Sequence, residues 1–280
     1  MKIPSGENYL KIKKTLGSQQ LHTVCEEANC PNLSECWGAG TATIMIMGDV
    51  CTRGCRFCSV TTGKPLFLDE EEPQRVAEAI REWRLQYVVI TAVCRDDLDD
   101  GGAAHMAKTI MEIKRLCPQT IVEPLIPDYN GDKRSLKKII DSDPEVISHN
   151  VETVERLTPM VRDARASYDQ SLHVLKSLKN MAPSIYTKSS LMLGLGEDEK
   201  EVMKTLQDLK RQGTDIVTMG QYLQPTIGHL PVKEYVTPQK FEEYRQIAED
   251  MGFSYVVSGP FVRSSYKASE PFIKNIITRR

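Results

Sequence analysis

The run Thr41-Ala-Thr-Ile-Met-Ile-Met-Gly48 leads directly into Asp49-Val-Cys51-Thr-Arg-Gly-Cys55-Arg-Phe-Cys58, so a β-rich apolar segment delivers three cysteines within eight residues. A short apolar run closed by glycine reads as a buried strand. A reactive loop at the C-terminal end of such a strand is the arrangement of α/β folds built on parallel sheets, where loops vary on a rigid scaffold.

Moving outward, the same alternation continues. Strands are expected at Thr43–Gly48, Gln86–Val93, Thr120–Pro127, Glu145–Asn150, Ser184–Leu193 and Asp215–Tyr222, with helices at Pro73–Trp83, Gly102–Leu116, Lys133–Asp141, Asp169–Asn180, Glu197–Gln212 and Pro238–Met251. Six strand-then-helix units call for parallel strands and right-handed crossovers. A closed barrel needs eight units. The expectation is therefore an α/β fold with an incomplete, TIM-like (β/α)6 barrel over residues 43–252, an N-terminal extension over 1–42 and a C-terminal extension over 253–280. Polar groups gather at one edge: the cysteine loop follows the first strand, Arg95-Asp96-Asp97 the second, and His149-Asn150 close the fourth. Gly194-Leu195-Gly196-Glu197 follow the fifth, and Gln221-Tyr222 the sixth.

Composition excludes several classes. The 280 residues carry 36 Lys and Arg against 38 Asp and Glu, a formal charge of −2, which gives no basic excess for a nucleic acid. The apolar runs are far shorter than the roughly 20 residues of a membrane span. The N-terminus lacks a secretory or transit pattern, so a cytoplasmic location is expected, with no nucleic-acid or membrane partner. Of eight cysteines, six lie between Cys25 and Cys58. That crowding points to metal rather than a disulfide scaffold.

The six form two triplets, Cys25-x4-Cys30-x5-Cys36 and Cys51-x3-Cys55-x2-Cys58. Structural zinc takes four closed ligands. Three thiolates leave one position open, which suits a cubane cluster with one differentiated iron. A zinc site stays open as an alternative if His22 joins the first triplet, or Cys94 or Cys117 the second. Cys94 and Cys117 are each isolated in apolar surroundings and read as small buried hydrophobes.

The segment Cys51-Thr-Arg-Gly-Cys55-Arg-Phe57-Cys58 resembles the cluster motif of radical S-adenosylmethionine enzymes. Together with Cys25-Glu-Glu-Ala-Asn-Cys30-Pro-Asn-Leu-Ser-Glu-Cys36-Trp, Arg95-Asp-Asp-Leu-Asp-Asp-Gly-Gly102, His149-Asn-Val-Glu152-Thr and Arg263-Ser-Ser-Tyr266, it is similar to the lipoyl synthase family from His22 to Tyr266. The resemblance implies insertion of two sulfur atoms at C6 and C8 of an octanoyl chain carried on a protein lysine. Alkyl C–H bonds offer no acidic proton and no leaving group, so a radical is required. It further implies two [4Fe–4S] clusters. One, on Cys51, Cys55 and Cys58, would hold S-adenosylmethionine at its open iron and generate a 5′-deoxyadenosyl radical. The other, on Cys25, Cys30 and Cys36, would be consumed as sulfur donor, with Ser264 or Ser265 as its fourth ligand. A hard alkoxide in place of a soft thiolate would be the weak link of that shell.

The same resemblance places Phe57 within the cluster motif and Asp96, Asp97 and the Gly101-Gly102 pair near the methionine end of the cosubstrate. It places Asn150 and Glu152 at the ribose, Leu195, Gln221 and Leu223 at the adenosine, and Arg263 beside the auxiliary cluster. Plainer roles compete: Asp96 and Asp97 as helix caps, GLGE as an ordinary strand-to-helix turn, and the Arg-Ser-Ser-Tyr segment as a turn or cap. Implied partners are an octanoylated lipoyl carrier domain, of the E2-subunit or glycine-cleavage H-protein type, and an electron donor such as flavodoxin or ferredoxin. Lys267, Lys274, Arg279 and Arg280 are candidates to meet an acidic carrier. The rival functions are sulfur insertion into a free small molecule, as in biotin formation, and a non-enzymatic iron–sulfur electron carrier or zinc-stabilised binding module.

Overall fold

The computed structural model describes residues 7–38 and 42–265. In chain order the elements are α1 (Glu7–Gln19), β1 (His22–Thr23), α2 (Val24–Glu27), α3 (Leu33–Gly38), β2 (Thr43–Ile46), β3 (Val50–Cys51), β4 (Thr61–Thr62), α4 (Glu72–Trp83), β5 (Tyr87–Ala92), α5 (Ala103–Leu116), β6 (Ile121–Leu125), α6 (Lys133–Asp141), β7 (Val146–Ser148), α7 (Thr158–Val161), α8 (Tyr168–Met181), β8 (Tyr186–Leu193), α9 (Glu199–Arg211), β9 (Ile216–Gln221), α10 (Pro238–Asp250) and β10 (Tyr255–Gly259). Side-chain caps set several helix starts. Asp132 accepts from the Ser135 N–H before α6, and Ser167 from Gln170 before α8. Asp198 and Glu201 close a reciprocal box before α9. That box starts α9 at Glu199, two residues later than expected. Glu197 instead accepts the N–H groups of Gly194 and Leu195 and closes the turn.

The main sheet runs β1-β2-β5-β6-β7-β8-β9-β10. From β2 onward every pairing is parallel, while β1 lies antiparallel on the edge. All six expected strands are present. Their number is corrected to seven parallel strands, because β10 continues the sheet with Val256 opposite Val217 and Ser258 opposite Met219. With only five residues and no alternation of polarity, that strand gives little signal of its own. The crossover through α10 brings it to the edge.

Outward-facing Val88 and Ile90 join Ile44, Ile46, Val76, Ile80 and Ile110 in one helix-covered core. Leu191, Leu193, Leu206, Val217, Met219 and Phe241 form a second. Their strand neighbours point inward, as a period of two requires. Tyr255 of β10 meets Tyr87, Val89 and Ile121 as well as Val146, Tyr186 and Ile216. A flat sheet cannot bring its last strand to the inner faces of its early ones. The sheet is therefore curled, and β1 and β10 remain unjoined edges, as in a partial TIM barrel. Among the described residues no helix is long and apolar enough to cross a membrane.

Inside the curl lies a buried ion pair. Lys188 Nζ on β8 donates to both carboxylate oxygens of Glu123 on β6, at 2.8 and 3.1 Å, and Ser148 and Tyr87 also donate to Glu123. The two charges are 2% and 1% exposed. Removing one partner strands the other without water, so Lys188→Met is expected to lower unfolding free energy by about 3–5 kcal/mol. A denaturant titration reads this directly. An unchanged midpoint and slope would show that the pair contributes nothing.

Candidate active site

Leaving β2, the chain turns through Met47 and Gly48, both at positive φ (68° and 88°). The Met47 N–H donates to buried Glu72 at 2.9 Å, and Glu72 meets His105 Nε2 at 2.7 Å. A side chain at Gly102 would clash with Met47, its Cβ falling 2.2 Å from the sulfur. Cys51 then sits on the short β3–β4 ladder, opposite Thr62.

From there the cysteine loop is fastened to several strand exits. Thr52 donates through N–H and Oγ1 to the Cys94 carbonyl at 3.0 and 2.9 Å. The backbone N–H groups of Cys94 and Arg53 reach Cys51 Sγ at 3.3 and 3.4 Å. Arg53 binds Asp96 after β5 and Asp128 after β6. Gly54 N–H donates to Asp163, whose own N–H reaches Cys55 Sγ at 3.4 Å. On the far side His229 Nε2 lies 3.0 Å from the Cys58 carbonyl. The expected site at the C-terminal edge is thus assembled by loops from β2, β5, β6, β7 and β9.

The three thiols differ electrically. The Cys94 thiol, then the N–H groups of Arg53 and Cys94 and the Arg53 charge, hold Cys51 below the ordinary thiol range against its burial. Burial pushes Cys55 up and Cys58 to about 12. Glu152 is raised by burial and adds negative charge facing both. Arg162 balances this. It is 8% exposed, bonds Ser171 Oγ at 2.8 Å and the Val151 carbonyl, and has no carboxylate ion-pair partner among the described residues. Burial and Arg162 together bring His149 down to about 4, so at neutral pH its ring is uncharged between Ile126 O and Ser171 Oγ.

The triplet of Cys25, Cys30 and Cys36 lies on the N-terminal segment. Cys25 belongs to α2, Cys36 to α3, and Cys30 to the turn between, which is closed by Cys30 N–H to Cys25 O at 3.0 Å. Burial pushes Cys25 up and Cys36 to about 12, and the thiols repel one another as charges. Trp37 is fully buried and its Nε1–H has no acceptor at hydrogen-bond distance, although it faces Cys25 closely enough to favour the thiolate. A thiolate bound to iron would supply that acceptor. The C-terminal motif comes to the same place. Asn32 donates to the Phe261 carbonyl at 2.6 Å, and a Cβ at Gly220 would fall 2.0 Å from Val262 O, so only glycine lets this backbone cross β9. Arg263 is buried enough to fall below its usual range and feels the charge of Cys30. Ser264 and Ser265 follow, half-buried. Tyr266, Lys267, Lys274, Arg279 and Arg280 lie outside the described residues.

Among the described residues no three His, Cys, Asp or Glu side chains converge as ligands of a single ion. Three soft thiols per group, each able as thiolate to bind its own iron, are a donor set of the kind a cubane cluster uses. His22 faces Glu27 at 3.9 Å. Cys94 adjoins Cys51, whereas Cys117 precedes β6 and so lies at the opposite edge of the sheet.

Other expected site residues are found as follows. Asn150 is buried and donates to Glu152 at 3.1 Å, and Glu152, at φ 66°, is tied by its backbone to β8. Phe57 is half-buried against the β8–β9 core, Leu195 is buried within it, and Leu223 is half-buried. The Gln221 amide is committed to the carbonyls of Tyr222 and Glu234 and to the Val236 N–H. Asp96 is taken by Arg53 and Thr52, and Asp97 by Arg95. The cap at the start of α5 falls to Asp100 instead. Sequence reasoning missed Arg53, Asp128, Asp163 and Arg162. Arg53 lies inside the cysteine motif, but its partner Asp128 is 75 residues away and no spacing rule connects them.

Comparison with known proteins agrees with this geometry. The model of the radical SAM superfamily matches residues 45–209, and that of the N-terminal domain of lipoyl synthase of the radical SAM family matches residues 1–30. The lipoyl synthase of Myxococcus xanthus is 53% identical over 279 residues, covering 100% of this chain and 94% of its own. The mitochondrial lipoyl synthase of Phaeosphaeria nodorum is 57% identical over 284 residues, covering 99% and 75%. Among solved structures, methylornithine synthase superposes with a TM-score of 0.56 at 13% identity over 98% of this chain and 88% of its own, a likeness of fold alone. At more than half identity over the whole chain, with both cysteine triplets in place, the chain belongs to the lipoyl synthase family of radical SAM enzymes, and its activity is lipoyl synthesis.

Proposed function

We propose that Cys51, Cys55 and Cys58 hold the [4Fe–4S] cluster that meets S-adenosylmethionine, and that Cys25, Cys30 and Cys36, with Ser264 or Ser265, hold the auxiliary cluster that donates sulfur. The observation that carries this reading is geometric: Asn32, between Cys30 and Cys36, donates to the Phe261 carbonyl at 2.6 Å and so ties the C-terminal segment that bears Arg263, Ser264 and Ser265 to the N-terminal triplet. Bound there, the first cluster and its cosubstrate supply a carbon-centred radical able to break unactivated C–H bonds.

The chain's own groups do the rest. Arg162, a buried cation with no carboxylate ion-pair partner among the described residues, is suited to the cosubstrate carboxylate. Asn150 and Glu152 offer hydrogen bonds to the ribose, while Leu195, Leu223 and the backbone around Gln221 form an apolar and amide surface for the adenosine. Phe57 shields the last cysteine from water. The substrate is an octanoyl-lysine on a lipoyl carrier domain, sulfurated at C6 and C8, and the reductant is a flavodoxin or ferredoxin. The site of action is the cytoplasm.

The test is mass analysis of an octanoyl-lysine peptide after anaerobic incubation with cosubstrate and reductant, alongside iron analysis of the enzyme. A gain of two sulfurs is expected, together with about eight irons per chain. Sulfuration of a free small molecule in place of the peptide would contradict the substrate. Saturation at four irons or fewer, or binding of zinc alone, would contradict the two-cluster assignment.

A further inference from the structure

Arg53 is 5% exposed, yet it carries a full charge at the centre of the cysteine loop. Its Nε and Nη2 bond Asp96 at 2.9 and 2.7 Å, and its Nη1 and Nη2 bond Asp128 at 2.8 Å each. Nη2 also lies 3.2 Å from Asn130 Oδ1. The carboxylates are themselves held: Asp96 accepts from Thr52 Oγ1 at 2.7 Å and faces Arg165 at 3.4 Å, and Asp128 accepts the Asn130 N–H at 3.1 Å. The guanidinium is thus bidentate to two carboxylates at once, a geometry a lysine ammonium cannot copy.

The sheet does not need this clamp. β5 and β6 are already joined over five residue pairs, from Tyr87 opposite Ile121 to Thr91 opposite Leu125. The cysteine loop has only the two-residue β3–β4 pairing as a ladder of its own, so it relies on its ties to strand exits, among which this clamp joins two of them through one side chain. The backbone N–H of Arg53 also points at Cys51 Sγ, so the residue that fixes the loop also orients a donor on the sulfur.

We propose that Arg53 is a positioning residue for the radical-generating cluster: clamped by Asp96 and Asp128, it holds Cys51 in the orientation that cluster assembly and cosubstrate binding require. Asp96 then serves the loop instead of contacting the cosubstrate. The proposal rests on the assignment of Cys51, Cys55 and Cys58 as cluster ligands.

The test uses the full chain, reconstituted without oxygen, in a Cys30→Ala background so that the Cys51 site is read alone. R53K is expected to keep its circular dichroism. Losing several charge-assisted hydrogen bonds should lower iron occupancy at that site, or raise the KM for cosubstrate at little-changed kcat, by at least about tenfold. The change that cosubstrate causes in the electron paramagnetic resonance of the reduced cluster should weaken with it. D128N, whose amide oxygen still accepts one bond, should fall between R53K and the parent. The proposal is overturned if R53K matches the parent in iron, KM and spectral response. It is equally overturned if R53K and D128N both lose their helical signal, which would make Arg53 a staple of the fold. If the parent itself takes up no iron at Cys51, the cluster assignment fails instead of the role of Arg53.

Discussion

Cys51→Ala is expected to abolish cleavage of S-adenosylmethionine, with 5′-deoxyadenosine falling to the level seen without enzyme, while about half of the iron should stay bound at the other triplet. The reason lies in how unlike the three thiols are. Cys51 alone is held below the ordinary thiol range, whereas Cys55 and Cys58 are pushed up by burial. Ligation requires the thiolate, so of the three thiols proposed as cluster ligands Cys51 would be the most ready to accept iron. Alanine removes it and leaves the Arg53 and Cys94 N–H groups aimed at an empty position. Cys94 is near enough to invite the idea of substitution as a ligand. Its thiol, however, lies on the strand-exit side of Cys51 and is raised well above the usual range, first by its contact with Cys51 and then by burial. The measurement is deoxyadenosine formed per chain under reducing conditions. Cleavage within tenfold of the parent enzyme would show that Cys51 is not a ligand.

The legible parts of this protein are those whose signal is local. The β-rich run before Cys51, the cysteine spacings and the amphipathic helices each sit within a short window, and all six expected strands and their crossovers form. What could not be read depends on distant partners. β10 is too short to announce itself and exists because it pairs with β9. Arg53 looks like a spacer between cysteines, yet its fork is filled by residues 43 and 75 positions away. Asp96, expected at the methionine end of the cosubstrate, has its carboxylate bonded to Thr52 and Arg53 of the loop, partners that its place after β5 does not announce. Gln221 is similar, since a polar residue at a strand end is as easily spent on its own loop. Position in the fold identified which residues stand near the site. It did not tell which had side chains left over for a ligand.

Cys30→Ala is expected to separate the two cysteine groups from the other direction: cosubstrate cleavage should stay within about threefold of the parent, and the doubly sulfurated product should disappear. The substitution should be mild for the fold. Cys30 is half-buried, and the contacts that hold its turn are made by backbone, from Cys30 N–H to Cys25 O and from Leu33 N–H to Cys30 O, which alanine keeps. A surface-like change of this kind costs within about 0.5 kcal/mol. The chemical loss is much larger. Cys25, buried, and Cys36, half-buried, remain with both thiols raised, and two reluctant thiols with one serine would not retain a cubane. The Cys51, Cys55 and Cys58 triplet keeps its supports from Arg53, Cys94, Asp163 and His229, and the bond that joins its loop to the N-terminal segment, from Ser59 Oγ to the Glu27 carbonyl, does not involve Cys30. Paired measurement of deoxyadenosine and of sulfurated peptide from one reaction reads both halves together. A variant that still makes lipoyl product would remove Cys30 from the donor cluster, and one that loses cleavage as well would mean that the two groups form a single centre.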